Sequence, residues 1–250
     1  MPGDALGDLE RACAFETHRQ LAKIGKPVDR GEWLMSPPTD NAYYDPQMND
    51  INFPAGILQP PNFDLRADTA AVYGAIGATV GHELTHGFDD EGRHYDARGD
   101  MRDWWTEADA KAFEARAQGF VDEYARFVTL KDPKDPAKDV KLNGRLTLGE
   151  NIADNGGLVL AYRALLDTLG AEPPRPIDGF DARQRFFVSY AQSWCFNQTD
   201  EMAKKAAKVD PHSTGRYRVN GVVANMPEFR QAFSCEEGAP MAPAAINRVW

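Results

Sequence analysis

His82 and His86 stand four residues apart in the run Gly81-His82-Glu83-Leu84-Thr85-His86-Gly87, and this spacing constrains the chain more than any other feature. An α-helix turns once in about 3.6 residues, so side chains four apart share a face and both imidazoles can reach one metal ion. Neutral imidazole suits Zn²⁺, and Glu83 between the two histidines is placed to take a proton from an attacking water rather than to ligate. The fold must therefore supply a rigid helix through residues 82–86. It must also bring in a further ligand, because hydrolytic zinc usually holds three protein ligands and leaves one position open.

The run Glu150-Asn151-Ile152-Ala153-Asp154-Asn155-Gly156-Gly157 offers that ligand. Glu150 and Asp154 are again four apart, so a helix presents both carboxylates to one side. One can ligate while the other accepts a hydrogen bond from the free ring nitrogen of a ligating histidine, and Asp89, three residues after His86, can serve the second histidine in the same way. Away from the histidines, the Glu150/Asp154 pair would read as a solvated acidic face.

With these runs, the chain resembles the neprilysin family of zinc endopeptidases, which includes the endothelin-converting enzymes and bacterial oligopeptidases. The resemblance is carried by Pro27-Val28-Asp29-Arg30, Trp33 to Thr39, Asn41-Ala42-Tyr43-Tyr44 and Phe53 to Pro61. It continues through His82 to Arg93, Glu150 to Gly157, Asp210-Pro211-His212-Ser213, Gly215-Arg216-Tyr217-Arg218 and the terminal Arg248-Val249-Trp250. It implies one zinc ion held by His82, His86 and Glu150, with Glu83 as general base. Asp89 and Asp154 become the carboxylates that orient the imidazoles. Asn41 and Ala42 become a strand edge holding an extended peptide through hydrogen bonds. Trp194 and Val219 become part of an apolar pocket for the side chain after the scissile bond, although Trp194 reads equally well as core. His212 and Arg218 become groups that stabilise the carbonyl oxyanion. Elementary chemistry agrees with the last pair, because peptide hydrolysis builds negative charge on that oxygen. Of the five histidines, His18 and His94 lie in no motif.

The implied fold class is α+β and predominantly helical: a thermolysin-like zincin lobe over residues 1–250 with a small N-terminal β-sheet. Hydrophobic residues make up 42% of 250, enough for one sizeable core. A net charge of −10 argues against nucleic acid and anionic membranes as partners and leaves oligopeptides as the expected substrates. No apolar run approaches the length of a membrane-spanning helix.

Periodicity and turn residues predict helices over about 9–24, 68–88, 106–128, 146–169 and 182–199. They predict strands near 32–36, 42–44 and 52–58, a surface connection over 131–145 and a Pro-rich loop over 172–176. In the helix from Thr106, a capping pair with Asp109 precedes a stripe of Phe113, Ala117, Phe120, Tyr124 and Phe127.

Several departures from the family bear on function. Family members carry a long helical lobe ahead of the first matching block, so the expectation is a fragment whose missing N-terminal lobe closes over the site. Cys195 and Cys235 match positions that in secreted relatives pair with cysteines in that missing part. A Cys195–Cys235 disulfide is also left open, and Cys13 matches no family cysteine. Asn247 stands where animal relatives have a cysteine. The parent enzyme would then belong in a periplasm or outside the cell, whereas a start without a basic and apolar leader implies a cytoplasmic protein if the chain is whole. Thr79 replaces a larger apolar pocket residue, and Thr214 replaces a proline common after His-Ser. The functional expectation is a zinc endopeptidase cleaving before apolar residues. Its rival is a zinc-binding lobe without activity of its own, structural or peptide-binding.

Overall fold

In the computed structural model, which describes residues 3–170 and 175–249, five helices begin at a residue whose side chain caps them. Asp4, Asp68, Thr106, Asp181 and Thr199 each accept a backbone N–H from the first turn of the helix that follows. This satisfies donors that a helix start otherwise leaves unpaired. At Asp181 the cap is reciprocal, with the Gln184 side chain returning to the Asp181 N–H.

The chain divides into two compact units, Met1–Ser36 and Pro37–Trp250. The first holds helix α1, Ala5–Leu21, which buries none of its residues. The strand expected over 32–36 is not there. Those residues form an irregular run bent at Leu34-Met35, and Glu32 is instead tied by ion pairs to Arg19 (2.5 Å) and Lys23 (2.6 Å). Among the described residues no strand pairs with this short apolar run, so it is not held as sheet.

The second unit opens with a hairpin of β1, Tyr43–Asp45, and β2, Asp50–Asn52, paired antiparallel with Tyr43 opposite Asn52. The Asp45 carboxylate closes its turn by accepting the N–H groups of Gln47 and Met48. The strand expected over 52–58 ends early. Pro54 removes a donor, and Gly56 packs so tightly on Pro38 and Thr39 that the segment turns into a 3₁₀ helix, Ala55–Ile57.

The helix expected over 68–88 is one helical run in three parts: α2, Thr69–Val72, a π-turn at Tyr73–Gly77, and α3, Ala78–His86. Such π-turns often fall beside functional sites. Helix α4, Glu107–Tyr124, buries Phe113, Ala117, Phe120 and Tyr124 of the expected stripe. It ends four residues before 128, so Phe127 packs on that core from beyond the helix, partly buried. The connection expected over 131–145 is more structured than anticipated, with β3, Val128–Leu130, pairing with β4, Val140–Lys141, around a 3₁₀ turn. Helix α5, Leu148–Leu169, is the spine of the unit. The loop expected over 172–176 lies outside the described residues except for Arg175 and Pro176. Helix α6, Ala182–Ser193, stops six residues before its expected end, and three unanticipated helices follow: α7, Asp200–Val209, α8, Gly215–Ala224, and α9, Pro227–Ala232.

Helix α5 has buried residues on all sides because two cores meet along it. One core joins Leu158, Tyr162 and Leu165 to Phe186 and Phe187 of α6 and to Val222 and Val223 of α8. The other joins Leu148 and Ile152 to the α4 stripe. Helix α3 crosses α5 at glycines. A Cβ on Gly81 would lie 2.5 Å from the Gly157 carbonyl oxygen, and a Cβ on Gly157 would lie 2.4 Å from the His82 nitrogen. No helix among the described residues is long and apolar enough to cross a membrane.

Candidate metal centre

This glycine crossing brings the His82/His86 face of α3 against the Glu150/Asp154 face of α5. The Nε2 atoms of His82 and His86 are 2.9 Å apart. Glu150 closes the group, with Oε2 3.3 Å from His82 Nε2 and Oε1 3.7 Å from His86 Nε2. Each imidazole is held from behind by a carboxylate: His82 Nδ1 lies 2.8 Å from Asp154 Oδ1, and His86 Nδ1 lies 2.6 Å from Asp89 Oδ2. Asp89 is itself fixed by the N–H groups of Glu91 and Gly92 on its other oxygen.

These contacts test whether a metal fits. With Nδ1–H donating to a carboxylate on both rings, the two Nε2 atoms face each other and need a proton or a metal cation between them. Glu150 Oε2 is buried and has no hydrogen-bond partner, although it lies beside that same point. Donor atoms about 2.0–2.2 Å from a tetrahedral ion stand about 3.3 Å apart, close to the spacings observed. Two nitrogens and a carboxylate, each ring oriented by a second carboxylate, form a donor set suited to zinc. His82, His86 and Glu150 can therefore hold a metal ion. The local field points the same way. Burial works against a charged His82, yet Asp154 and Glu150 hold its pKa up at about 9, and the same carboxylates favour any cation seated there.

Around this group the remaining side chains converge unequally. Glu83 is buried, and burial raises its carboxyl above the ordinary range, with the His82 and His86 charges acting in opposition. Arg218 is buried and grips Asp154 with two hydrogen bonds, Nε at 2.7 Å and Nη2 at 2.6 Å, while Nη2 lies 3.5 Å from Glu150 Oε2. Its guanidinium stacks on Trp194, 3.9 Å from the ring centroid. His212 brings Nε2 to 3.3 Å from Glu150 Oε1. Val219 packs at the edge of the α6/α8 core. Ala42 is buried in a small cluster with Ile57 and Ile76 ahead of β1, and Asn41 beside it is exposed. Neither Asn41 nor Ala42 shares a hydrogen bond with the ligand group.

Residue-by-residue reading missed Asp210. Its Oδ1 accepts from the His212 N–H at 2.9 Å and lies 2.8 Å from His212 Nδ1, a ring contact like the one Asp89 makes with His86 Nδ1. A carboxylate two residues before a histidine was the available signal. Asp90 was also overlooked. One of its oxygens is buried without a partner, and burial, then the neighbouring Asp89, push its carboxyl up to about 6. The sign of the consequence is definite. Below about pH 4 this carboxyl is neutral in both the folded and unfolded states, and above about pH 6 the folded state carries its full ionisation cost. Asp90→Asn, never charged, should therefore be more stable than wild type by about 1–2 kcal/mol at pH 7.5, the full shift being reduced by solvent screening of this partly exposed group. Urea unfolding of the metal-free proteins should show that gap close as the pH falls to 4. A gap that stays constant with pH would count against the buried-charge account.

A histidine pair on one helix, a carboxylate on the crossing helix and a glutamate between the histidines define the class of helical zinc metallopeptidase lobes. Comparison with known proteins narrows it: residues 41–249 match the family model described as Peptidase family M13, and the chain belongs to that family. It is 43% identical over 243 residues to an endothelin-converting enzyme homolog of Locusta migratoria, covering 96% of this chain and 32% of that protein. It is 42% identical to neprilysin-1 of Caenorhabditis elegans, covering 100% of this chain and 33% of that protein. The fold matches the crystal structure of the Mycobacterium tuberculosis zinc metalloprotease Zmp1 in complex with an inhibitor, with a TM-score of 0.89 and 46% identity over 93% of this chain and 35% of that one. The chain thus spans about a third of the length of the relatives it matches.

Proposed function

We propose that this chain is the catalytic lobe of a zinc-dependent endopeptidase, binding one zinc ion through His82, His86 and Glu150 and hydrolysing oligopeptides before apolar residues. The observation that carries the reading is the convergence of His82, His86 and Glu150 on one point, with the Glu83 carboxyl buried on the turn between the two histidines. Bound zinc supplies Lewis acidity, polarising water and the scissile carbonyl. Glu83 takes the proton from the attacking water and passes one to the departing amine. His212, oriented by Asp210, and Arg218 place positive or donating groups where the carbonyl oxygen gains charge. Arg218 is committed to Asp154 by two hydrogen bonds, so it acts as a fixed field, while His212 is the half-exposed donor. Asn41 and Ala42 would hold the extended substrate, and Trp194 with Val219 would receive the apolar side chain after the cut.

The decisive test is Glu83→Gln beside wild type, with zinc affinity and cleavage of an internally quenched peptide both measured. The variant should keep zinc within about threefold and lose turnover by roughly 10²–10⁴-fold, the range of general acid–base catalysis. Near-normal turnover by the variant would sink the assignment. The silent-lobe reading is favoured by the chain spanning about a third of its relatives' length, and it predicts tight zinc binding with no cleavage even by wild type.

A further inference from the structure

The loop that carries His212 is held by more than Asp210. The Ser213 hydroxyl donates to Asn151 Oδ1 at 2.6 Å, a bond buried between the loop and helix α5. Asn151 is fully buried and directly follows Glu150, and its own Nδ2 donates to Thr147 Oγ1 at 2.9 Å. Thr147 in turn donates to the Asn143 carbonyl at 3.1 Å. The chain Asn143–Thr147–Asn151–Ser213 thus runs from the start of the ligand-bearing helix to the residue next to His212. His212 itself is about half exposed, its side-chain exposure being 45%, so packing alone does not hold it. A buried amide oxygen left without its donor is costly, which makes the Ser213–Asn151 bond hard to break while the loop stays in place.

We propose that Ser213 and Asn151 are positioning residues, a latch that fixes the His212 loop to the turn of α5 bearing Glu150 and so sets the distance from His212 to the metal centre. The inference rests on the proposed zinc-peptidase reading and adds to it the device that places the His212 donor. Asp210 orients the His212 ring within the loop, and the latch places the loop relative to the ligands. Neither latch residue belongs to the candidate ligand group. Their role is the one that supporting hydrogen bonds play around a reactive side chain, where a small misplacement costs much of the effect.

The test uses cobalt(II) in place of zinc in the full chain, read by proton NMR. Ring protons of the ligands His82 and His86 shift strongly, and those of His212 shift through space by an amount that falls with the cube of its distance from the metal. Ser213→Ala and Asn151→Ala should each cut the His212 shift to less than half while leaving the His82 and His86 shifts in place. An unchanged His212 shift in both variants overturns the latch. Loss of the His82 and His86 shifts in both variants overturns it as well, since the pair would then support the metal helices rather than place His212. Wild type showing no shifted His82 and His86 resonances would instead overturn the metal-site reading on which the inference rests.

Discussion

Gly157→Ala is expected to destroy the metal centre while changing no residue that could bind metal. A Cβ there would lie 2.4 Å from the His82 nitrogen and 2.7 Å from its Cα, and these obstructing atoms are backbone rather than flexible side chain. Helices α3 and α5 must move apart to admit it. Moving them separates the histidines on one from Glu150 on the other. Overpacking of this kind costs about 1–3 kcal/mol where side chains can yield, and more where only backbone can. We expect a loss of about 3 kcal/mol or more in denaturant unfolding of the metal-free protein, and a fall in zinc affinity of at least 10²-fold, as supporting-group changes at metal sites approach. Gly81→Ala meets the same backbone from the other side, 2.5 Å from the Gly157 oxygen, and should behave alike. Zinc affinity within threefold of wild type in either variant would mean that the crossing distance does not govern the site.

This crossing explains how much of the site was readable beforehand. Metal chemistry forces ligands into helical register, so His82 with His86, and Glu150 with Asp154, appear as four-residue spacings in the sequence itself. The glycines beside them were visible too, but only the structure shows that they face each other. Contacts between residues distant in sequence left no local trace. Ser213 meets Asn151 across 62 positions, and Arg218 meets Asp154 across 64. Arg218 was expected at the carbonyl oxyanion through the family resemblance; the structure adds its grip on Asp154, which no spacing announces.

Secondary structure divided along similar lines. The α4 helix, with its cap at Thr106 and its apolar stripe, was legible because propensity, capping and periodicity agreed. The run Trp33-Leu34-Met35 was misread as strand because three apolar residues fit several structures and only a partner decides between them. Helix α7 carries a signal in Thr199, which caps it through the Met202 N–H and is the residue where the helix over 182–199 was expected to end. Merging α6 with the segment beyond Trp194 hid that cap.

The second large effect should fall on stability and metal affinity in opposite patterns. Asp154 and Arg218 are both buried, and each is stabilised in its charged form by the other against the cost of burial. Asp154→Ala leaves the guanidinium buried with Glu150 as its remaining close carboxylate, and breaking such a pair from one side typically costs about 3–5 kcal/mol. It also takes the acceptor from His82 Nδ1, which should weaken zinc about 10–100-fold. The double variant Asp154→Leu/Arg218→Met removes both charges and keeps apolar volume, so it should recover most of the lost stability, as replacement of buried ion pairs often does. It should recover none of the zinc affinity, because His82 still lacks its carboxylate. Unfolding free energies and chelator-competition zinc affinities, measured on the same three proteins, would separate the two roles. A double variant no more stable than Asp154→Ala would show that the uncompensated guanidinium is not what the single variant loses. Zinc affinity restored along with stability would show that Asp154 acts on the metal only through the fold. The expected split, stability regained and zinc still weak, would assign Asp154 two separable tasks: neutralising Arg218 and orienting His82.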